Sequence, residues 1–241
     1  DAIPHFESAV SRYLKQEKPI DAALMHDRIG DSYRALKQDE QAAAAYQSAL
    51  SLCTERKHVP GVATYGDKLG QALFRLKRIA EAIAPFQAAG KANEELKQPT
   101  LTAQMLSWQG DCYRDLNQDE QAVSTYRASL AVFYEHKSNT GISDDASDLG
   151  KALYRLKRFE EAIPSLEAAA KAYEAMKQPI HAAWMSAWVG GCHRELKRHD
   201  RAAEAYRTAL AIFTREGHVA GIASESFDLG KSLYRLRQYG E

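Results

Sequence analysis

Small and apolar residues recur along the chain at spacings that fit one face of an α-helix. One such stripe is Ile29, Gly30, Tyr33 and Leu36, and a second is Ala42, Tyr46, Ala49, Leu50 and Cys53. The polar segment KQDEQ at 37–41 separates the two stripes. This pattern predicts two helices of about 17–19 residues, each about 27 Å long, that are joined by a tight turn. Alternation with a period of two is absent, so the sequence predicts no strands.

The same pair of stripes repeats every 40 residues without slippage. The stretch LGKALYRLKRFEEA at 149–162 closely matches LGQALFRLKRIAEA at 69–82, two repeats earlier. Fixed self-similarity at this period indicates a stacked array. We therefore predict an all-α solenoid of antiparallel helix hairpins that runs through residues 1–241. Its full repeats are 19–58, 59–98, 99–138, 139–178 and 179–218, preceded by a lone second helix at 1–18 and followed by a lone first helix at 219–241.

A glycine lies at one fixed position of every first helix: Gly30, Gly70, Gly110, Gly150, Gly190 and Gly230. Glycine inside a helix costs about 1 kcal/mol relative to alanine, so six such glycines need a compensating interaction. Close approach of a second helix supplies one, because a bulky side chain can enter the space that a Cβ would fill. We expect residues of the Tyr46 type to pack against glycines of the Gly30 type.

A second period, of 80 residues, runs over the first. Pro19, Pro99 and Pro179 mark alternate junctions, and Gly61, Gly141 and Gly221 mark the others. Proline suits the first turn of a helix, where its missing N–H costs nothing. We expect the glycines to end helices with a positive φ. The array is thus predicted to consist of double units, each made of two hairpins.

The spacing of Ile29, Gly30, Tyr33, Ala42, Tyr46 and Ala49, with its copies, resembles the tetratricopeptide repeat pattern. The resemblance covers essentially the whole chain. The 40-residue period is similar to the long repeats of kinesin light chains and spindle-orientation adaptors, and the family's early tryptophan is missing. The resemblance implies a right-handed superhelix whose first helices line a concave groove, and a protein that binds other proteins.

Charge and composition narrow the possible partners. The 241 residues carry 32 basic and 32 acidic side chains, so the net charge is zero. That balance gives no reason to expect a nucleic acid or an anionic membrane as a partner. No apolar run approaches the roughly 18 residues of a membrane span, and no signal peptide is visible. Three cysteines in a chain of this length predict buried, reduced thiols and a cytoplasmic setting.

No catalytic or metal-binding motif stands out, so we predict a non-enzymatic protein without a cofactor. His58 and His218 lie at equivalent junctions, where hydrogen bonding at a helix end is the simplest role. His193 and His199 are six residues apart beside Cys192, and a helix does not place all three on one face. We expect them to be packing and turn residues.

The stripe opposite the core of each first helix is the candidate binding surface. It holds one class of arginine, Arg34, Arg114 and Arg194, and one class of aromatic-arginine pair, Phe74-Arg75, Tyr154-Arg155 and Tyr234-Arg235, together with Lys151, Lys231 and Trp184. Guanidinium groups bind carboxylates in a bidentate way, and aromatic rings add apolar area. A peptide that carries carboxylates would suit such a surface.

Internal ion pairs are the alternative explanation of these arginines. Asp31 precedes Arg34 by three residues, a spacing that allows pairing within one helix, and Asp111 precedes Arg114 in the same way. Gly191 stands at this place before Arg194, so we expect no such acid there. We also expect residues 151–235 to be the more electropositive part of the groove.

Three functions remain open from the sequence. The leading one is a scaffold or adaptor that binds a peptide segment of a partner. The second is self-assembly into homo-oligomers by stacking of the array ends, since both ends are cut within a hairpin and neither has a polar capping helix. The third is a sensor region of a larger signalling protein or enzyme.

Overall fold

The computed structural model describes residues 2–239, with side chains over residues 2–237. This part of the chain is all-α and contains twelve helices. They are α1 (Ile3–Lys15), α2 (Pro19–Ala35), α3 (Asp39–Glu55), α4 (Val59–Arg75), α5 (Ile79–Glu95), α6 (Pro99–Asp115), α7 (Asp119–Glu135), α8 (Asn139–Arg155), α9 (Phe159–Ala175), α10 (Pro179–Glu195), α11 (His199–Arg215) and α12 (Val219–Tyr239). Helix α2 has 17 residues, as the sequence predicts, and three residues separate it from α3.

The helices are distributed over two compact units, Asp1–Gln118 and Asp119–Glu241. Within each unit, helices that follow one another in the chain pack together as antiparallel hairpins. The even-numbered helices are called first helices below, and the odd-numbered ones second helices. This arrangement confirms the predicted array of helix hairpins.

Glycines of the first helices receive bulky side chains of the second helices, as predicted. A Cβ on Gly30 would lie 2.5 Å from Cε1 of Tyr46, and one on Gly190 would lie 2.7 Å from Cε1 of Tyr206. Both tyrosine rings are buried. The missing Cβ therefore sets how closely the two helices of a hairpin approach.

The helices end on residues other than the expected glycines. Lys37 adopts a φ of 59°, and the same left-handed conformation recurs at equivalent turns, including Asn117 and Gly217. The N–H of Gln38 donates to the carbonyl of Tyr33, which closes a Schellman motif. Leu36 begins this turn and is 61% exposed, so it lies outside the core.

The expectation that Gly61, Gly141 and Gly221 end helices is wrong. Each is the third residue of a first helix, in α4, α8 and α12 respectively. A Cβ on Gly141 would lie 2.5 Å from the ring of Phe133, and Gly221 meets Phe213 in the same way. Glycine is therefore required here by packing against the preceding second helix.

Two histidines, His58 and His218, form hydrogen bonds at the starts of α4 and α12. Nδ1 of His58 accepts a hydrogen bond from the Gly61 N–H at 3.1 Å, and Nδ1 of His218 accepts one from Gly221 at 3.0 Å. The hydroxyl of Ser138 does the same for Gly141. Hydrogen bonding at a helix end is thus confirmed, and it takes the form of an N-terminal cap.

The cysteines are part of the packed interior, as expected. Cys53, Cys112 and Cys192 are fully buried and form no disulfide. Burial raises the pKa of Cys112 and of Cys192 to about 12, and that of Cys53 to about 11. The thiols are therefore protonated at neutral pH. None of the helices within residues 2–239 is long and apolar enough to cross a membrane.

Candidate functional site

An aromatic cluster joins α8, α9 and α10 in the second unit. The ring of Tyr154 on α8 meets the edge of Trp188 on α10 at 5.2 Å and that of Phe159 on α9 at 5.1 Å. The Tyr154 hydroxyl donates to Oε1 of Glu195 at 3.5 Å. Trp188 remains 36% exposed. The cluster thus presents a large aromatic side chain to solvent beside charged groups.

The equivalent cluster in the first unit is more closed. There the indole of Trp108 stacks on Phe86 at 5.5 Å with an angle of 5° and meets the edge of Phe74 at 5.4 Å. The position of Phe86 is taken by Leu166 in the second unit. Trp188 therefore lacks the ring on which Trp108 stacks.

Trp188 was not among the candidates chosen from the sequence. It lies three residues before Gly191 and six before Arg194, one turn away from the stripe selected there. An alignment of the repeats would have drawn attention to it. The residues at this position are Arg28, Lys68, Trp108, Asp148, Trp188 and Asp228.

Two of the candidate arginines form the ion pairs that the alternative explanation anticipates. Nη2 of Arg34 lies 3.3 Å from Oδ1 of Asp31. Nη1 of Arg114 lies 2.7 Å from Oδ1 of Asp111. These guanidinium groups are neutralised on their own helices.

The arginines that follow an aromatic residue are held by another helix. Nε of Arg75 lies 3.1 Å from Oδ1 of Asp39, at the start of α3. Nε of Arg155 lies 2.9 Å from Oδ1 of Asp119, at the start of α7. Both pairs join the end of a first helix to the start of the preceding second helix.

The expectation that Arg194 lacks an acid is wrong. Its Nη1 lies 3.0 Å from Oδ1 of Asp228 on α12, and its Nη2 lies 3.3 Å from Oε1 of Glu195. Lys151 likewise lies 3.3 Å from Asp148. Sequence spacing along one helix missed Asp228 because this acid belongs to the neighbouring first helix.

The last three candidates surround a cavity of about 500 Å³ within the second unit. Lys231, Tyr234 and Arg235 of α12 line it, together with Arg194 of α10 and His199 of α11. Nζ of Lys231 lies 3.8 Å from Oδ1 of Asp228. The structure thus brings four of the predicted site residues, Arg194, Lys231, Tyr234 and Arg235, to one place.

Trp184 lies apart from this group. Its ring packs at 4.7 Å against Phe213 and at 5.8 Å against His218. The side chain is partly buried and belongs to an apolar cluster that includes Ala183 and Ala209. Its contacts are with the interior of the hairpin formed by α10 and α11.

A network of charged side chains joins first helices in the first unit. Lys68 of α4 forms an ion pair with Asp27 and lies 3.0 Å from Oδ2 of Asp31 on α2. The hydroxyl of Tyr46 donates to Oδ1 of Asp31 at 2.7 Å. Burial raises the pKa of Asp31, but hydrogen bonds from Tyr46 and Lys68 outweigh that effect and hold it below its usual value.

Residues that could serve catalysis or hold a metal are dispersed. No group of three or more His, Cys, Asp or Glu side chains in the described part of the chain has a metal-binding arrangement. His193 is buried, and burial lowers its pKa.

Comparison with known proteins agrees with this architecture. The repeated helix hairpin defines a class of interaction scaffolds. Models of the tetratricopeptide repeat match residues 27–52, 104–133 and 147–216, which together make up just over half of the chain. The chain belongs to the tetratricopeptide repeat family. No match was found among curated proteins.

Several solved structures share the fold at low sequence identity. BtubC (BKLC) from P. vanneervenii is 17% identical, with 90% of this chain and 91% of that chain covered and a TM-score of 0.67. YrrB, described as a TPR protein with an unusual peptide-binding site, is 17% identical over 90% and 98%, with a TM-score of 0.65. A putative kinesin light chain from Podosopora anserina with TPR-like repeats is 12% identical over 80% and 95%, with a TM-score of 0.63.

Proposed function

We propose that the chain is a non-enzymatic scaffold that binds a peptide segment of a partner protein on the first helices of its second unit. The observation that carries this proposal is the half-open aromatic cluster, in which Trp188 is 36% exposed beside Tyr154. Exposed tryptophan and tyrosine are the side chains that contribute most to protein interfaces. That YrrB is described as having a peptide-binding site supports the same use of this fold.

The chemistry around the cluster indicates which segment would bind. An apolar side chain of the partner would cover the exposed part of Trp188, and its carboxylates would meet the basic side chains of α12, such as Arg235. Surface arginines that already have an acid, such as Arg34 and Arg155, would contribute less. We therefore propose an acidic peptide with an apolar anchor. We also propose that the chain itself is cytoplasmic, which its three free cysteines support.

Selection from a random peptide library tests this function across many candidate partner sequences at once. The wild-type chain is expected to enrich a defined set of peptides, and Trp188→Ala is expected to lose at least about 2 kcal/mol of their binding free energy. Trp184→Leu is the matched control, because it alters a tryptophan of the same helix that packs internally. Failure to enrich any peptide, or equal loss in both variants, would contradict the proposal.

Self-association through the outermost helices is a second candidate. A Cβ on Gly230 would meet no atom within 4 Å, whereas its equivalents Gly70 and Gly150 are filled by Phe86 and Leu166. Phe6, which stands at the place of Tyr46 in the repeat, is only partly buried. Phe6 of one copy could fill the space at Gly230 of another.

Light scattering over a range of concentrations tests this second candidate. We expect the mass of the wild-type chain to rise with concentration and Phe6→Asp to stay monomeric. A wild-type chain that is monomeric at high concentration would exclude such stacking.

A further inference from the structure

A carboxyl group on α12 is buried without a full set of hydrogen bonds. The side chain of Glu225 is only 2% exposed, and within residues 2–237 no group forms a hydrogen bond with its buried Oε2. A carboxylate loses much more free energy than a neutral carboxyl group when both are removed from water. The burial of Glu225 is therefore coupled to its proton.

The second double unit shows how an acid at this position can be satisfied. Asp145 of α8 stands 80 residues before Glu225, and it is also buried. The hydroxyl of Ser129 on α7 donates a hydrogen bond to Oδ2 of Asp145. The equivalent of Ser129 on α11 is Ala209, which is fully buried and has no hydroxyl. Glu225 thus keeps the acid of this position without the donor that accompanies it on α7.

The charged groups around Glu225 do not replace that donor. Helix α12 packs on α11 and also contacts α10. Arg194 of α10 faces Glu225, but its guanidinium already binds Asp228 and Glu195. Helix α11 contributes Tyr206, whose pKa is raised by burial, so its phenol is uncharged. An ionised Glu225 would therefore compete with two carboxylates for one guanidinium.

The balance of these effects keeps the proton on Glu225. Burial raises its pKa, and the charge of Asp228 on the same helix raises it further. A hydrogen bond from Ser224 and the charge of Arg194 lower the pKa, but they do not outweigh burial. Glu225 consequently binds its proton more tightly in the docked helix than in a helix that exposes the carboxyl group to water.

We propose that the docking of α12 on α10 and α11 depends on protonation of Glu225 and weakens when this carboxyl group ionises. This property goes beyond the proposed function and does not rest on it. Docking is strongest below the usual pKa of glutamate, where the carboxyl group is neutral in the docked and in the released helix. It weakens as the pH rises from there through the raised pKa, because only the released helix then gains the hydration of a carboxylate.

Hydrogen exchange of the backbone amides of α12 measures this docking. Mass spectrometry of the wild-type chain between about pH 5 and about pH 8, corrected for the intrinsic exchange rate, gives the protection of each helix. Protection of α12 should fall at least about threefold more over this range than that of α8, where Asp145 has the hydroxyl of Ser129. An equal or smaller fall in α12 would overturn the proposal.

Two variants assign the effect to Glu225. Glu225→Gln keeps the shape of the side chain but has no proton to lose, so the additional pH dependence of α12 should disappear. Ala209→Ser supplies the hydroxyl that Ser129 supplies on α7, and it should reduce this dependence by stabilising the carboxylate. His218 caps the start of α12 with a neutral imidazole, so its protonation acts in the opposite direction and is retained in both variants. A pH dependence that Glu225→Gln leaves unchanged would contradict the assignment.

The titration of Glu225 in the wild-type chain provides a measurement that does not depend on any variant. The chemical shift of its carboxyl carbon should titrate above the usual range of glutamate. A titration within or below that range would show that burial does not hold the proton, and it would overturn the proposal. Circular dichroism at each pH checks that the helices of the chain are retained.

Discussion

Leu166 of α9 occupies the space that a Cβ on Gly150 of α8 would need. The distance from that Cβ to Cγ of Leu166 would be 2.5 Å, shorter than carbon atoms tolerate. The same relationship joins Gly70 to Phe86 and Gly190 to Tyr206. The glycine of a first helix and the bulky residue of the following second helix therefore form one packing unit, which is repeated along the chain.

Adding a methyl group at this glycine should lower the free energy of unfolding only where the bulky partner side chain is present. Gly150→Ala is expected to destabilise the fold by roughly 1–3 kcal/mol, because Leu166 or the helix must shift. Gly230→Ala is the matched control, since open space surrounds that position. It should be neutral or stabilise by up to about 1 kcal/mol through helix propensity. Urea unfolding of both variants measures the difference, and similar midpoints would refute the packing argument.

The turns after the helices should depend on a residue that tolerates a positive φ. Gly217 has a φ of 67°, and a Cβ there would meet nothing, so strain is the only cost of a side chain. Gly217→Ala should destabilise by about 1 kcal/mol. Gly217→Asn should cost less, because Asn117 adopts a φ of 57° at an equivalent turn. Thermal unfolding checks this order, and an alanine variant as stable as the asparagine variant would contradict it.

The charged network of the first unit should make stability depend on pH through Asp31. Its pKa in the folded chain is lowered, so its contribution is present above the usual pKa of aspartate. That contribution is lost as the pH falls through the lowered value. Lys68→Met should destabilise the fold at neutral pH by about 1–3 kcal/mol, since two carboxylates lose their shared cation.

The variant should also move the titration of Asp31. Without Lys68, the pKa of Asp31 is expected to rise, and acid-induced loss of stability should begin at a higher pH than in the wild-type chain. Carboxyl chemical shifts and urea unfolding at several pH values measure both effects. Lys91→Met serves as the control, because Lys91 is exposed. An unchanged titration of Asp31 would show that Lys68 does not stabilise its charge.

The cysteines should not react with thiol reagents in the folded chain. Burial raises the pKa of Cys112 and of Cys192 to about 12, so almost no thiolate is present at neutral pH and no reagent reaches it. A maleimide reagent should label none of the three cysteines under native conditions and all three in denaturant. Mass spectrometry would measure the labelling. Rapid labelling of the native chain would place these thiols at the surface.

The sequence was sufficient to predict the helices and their main packing partners. The contact of Gly30 with Tyr46 follows from the 40-residue register, because the cost of a helical glycine needs compensation at every copy. The role of Gly61 was predicted wrongly. Glycine is compatible both with a positive φ and with close packing, and only the position of Cys53 distinguishes the two.

The candidate surface was predictable only in part. Pairing of Asp31 with Arg34 follows from spacing along one helix. Pairing of Arg194 with Asp228 joins two helices that are neighbours in space but 34 residues apart in the chain, so helix periodicity could not reveal it. The exposure of Trp188 could not be predicted from helix periodicity either, because stacking of the kind that Trp108 has on Phe86 involves two different helices.

By itself, the sequence determined the local structure. It has a strict period of 40 residues, stripes of small and bulky side chains, and turns between the stripes. Stacked helix hairpins are the structure that accommodates all three features. The tertiary structure decided which charges cancel and which aromatic faces stay open. Those properties depend on distances between side chains of different helices, such as Tyr154 and Trp188, and interactions between charges or rings fall off steeply with distance.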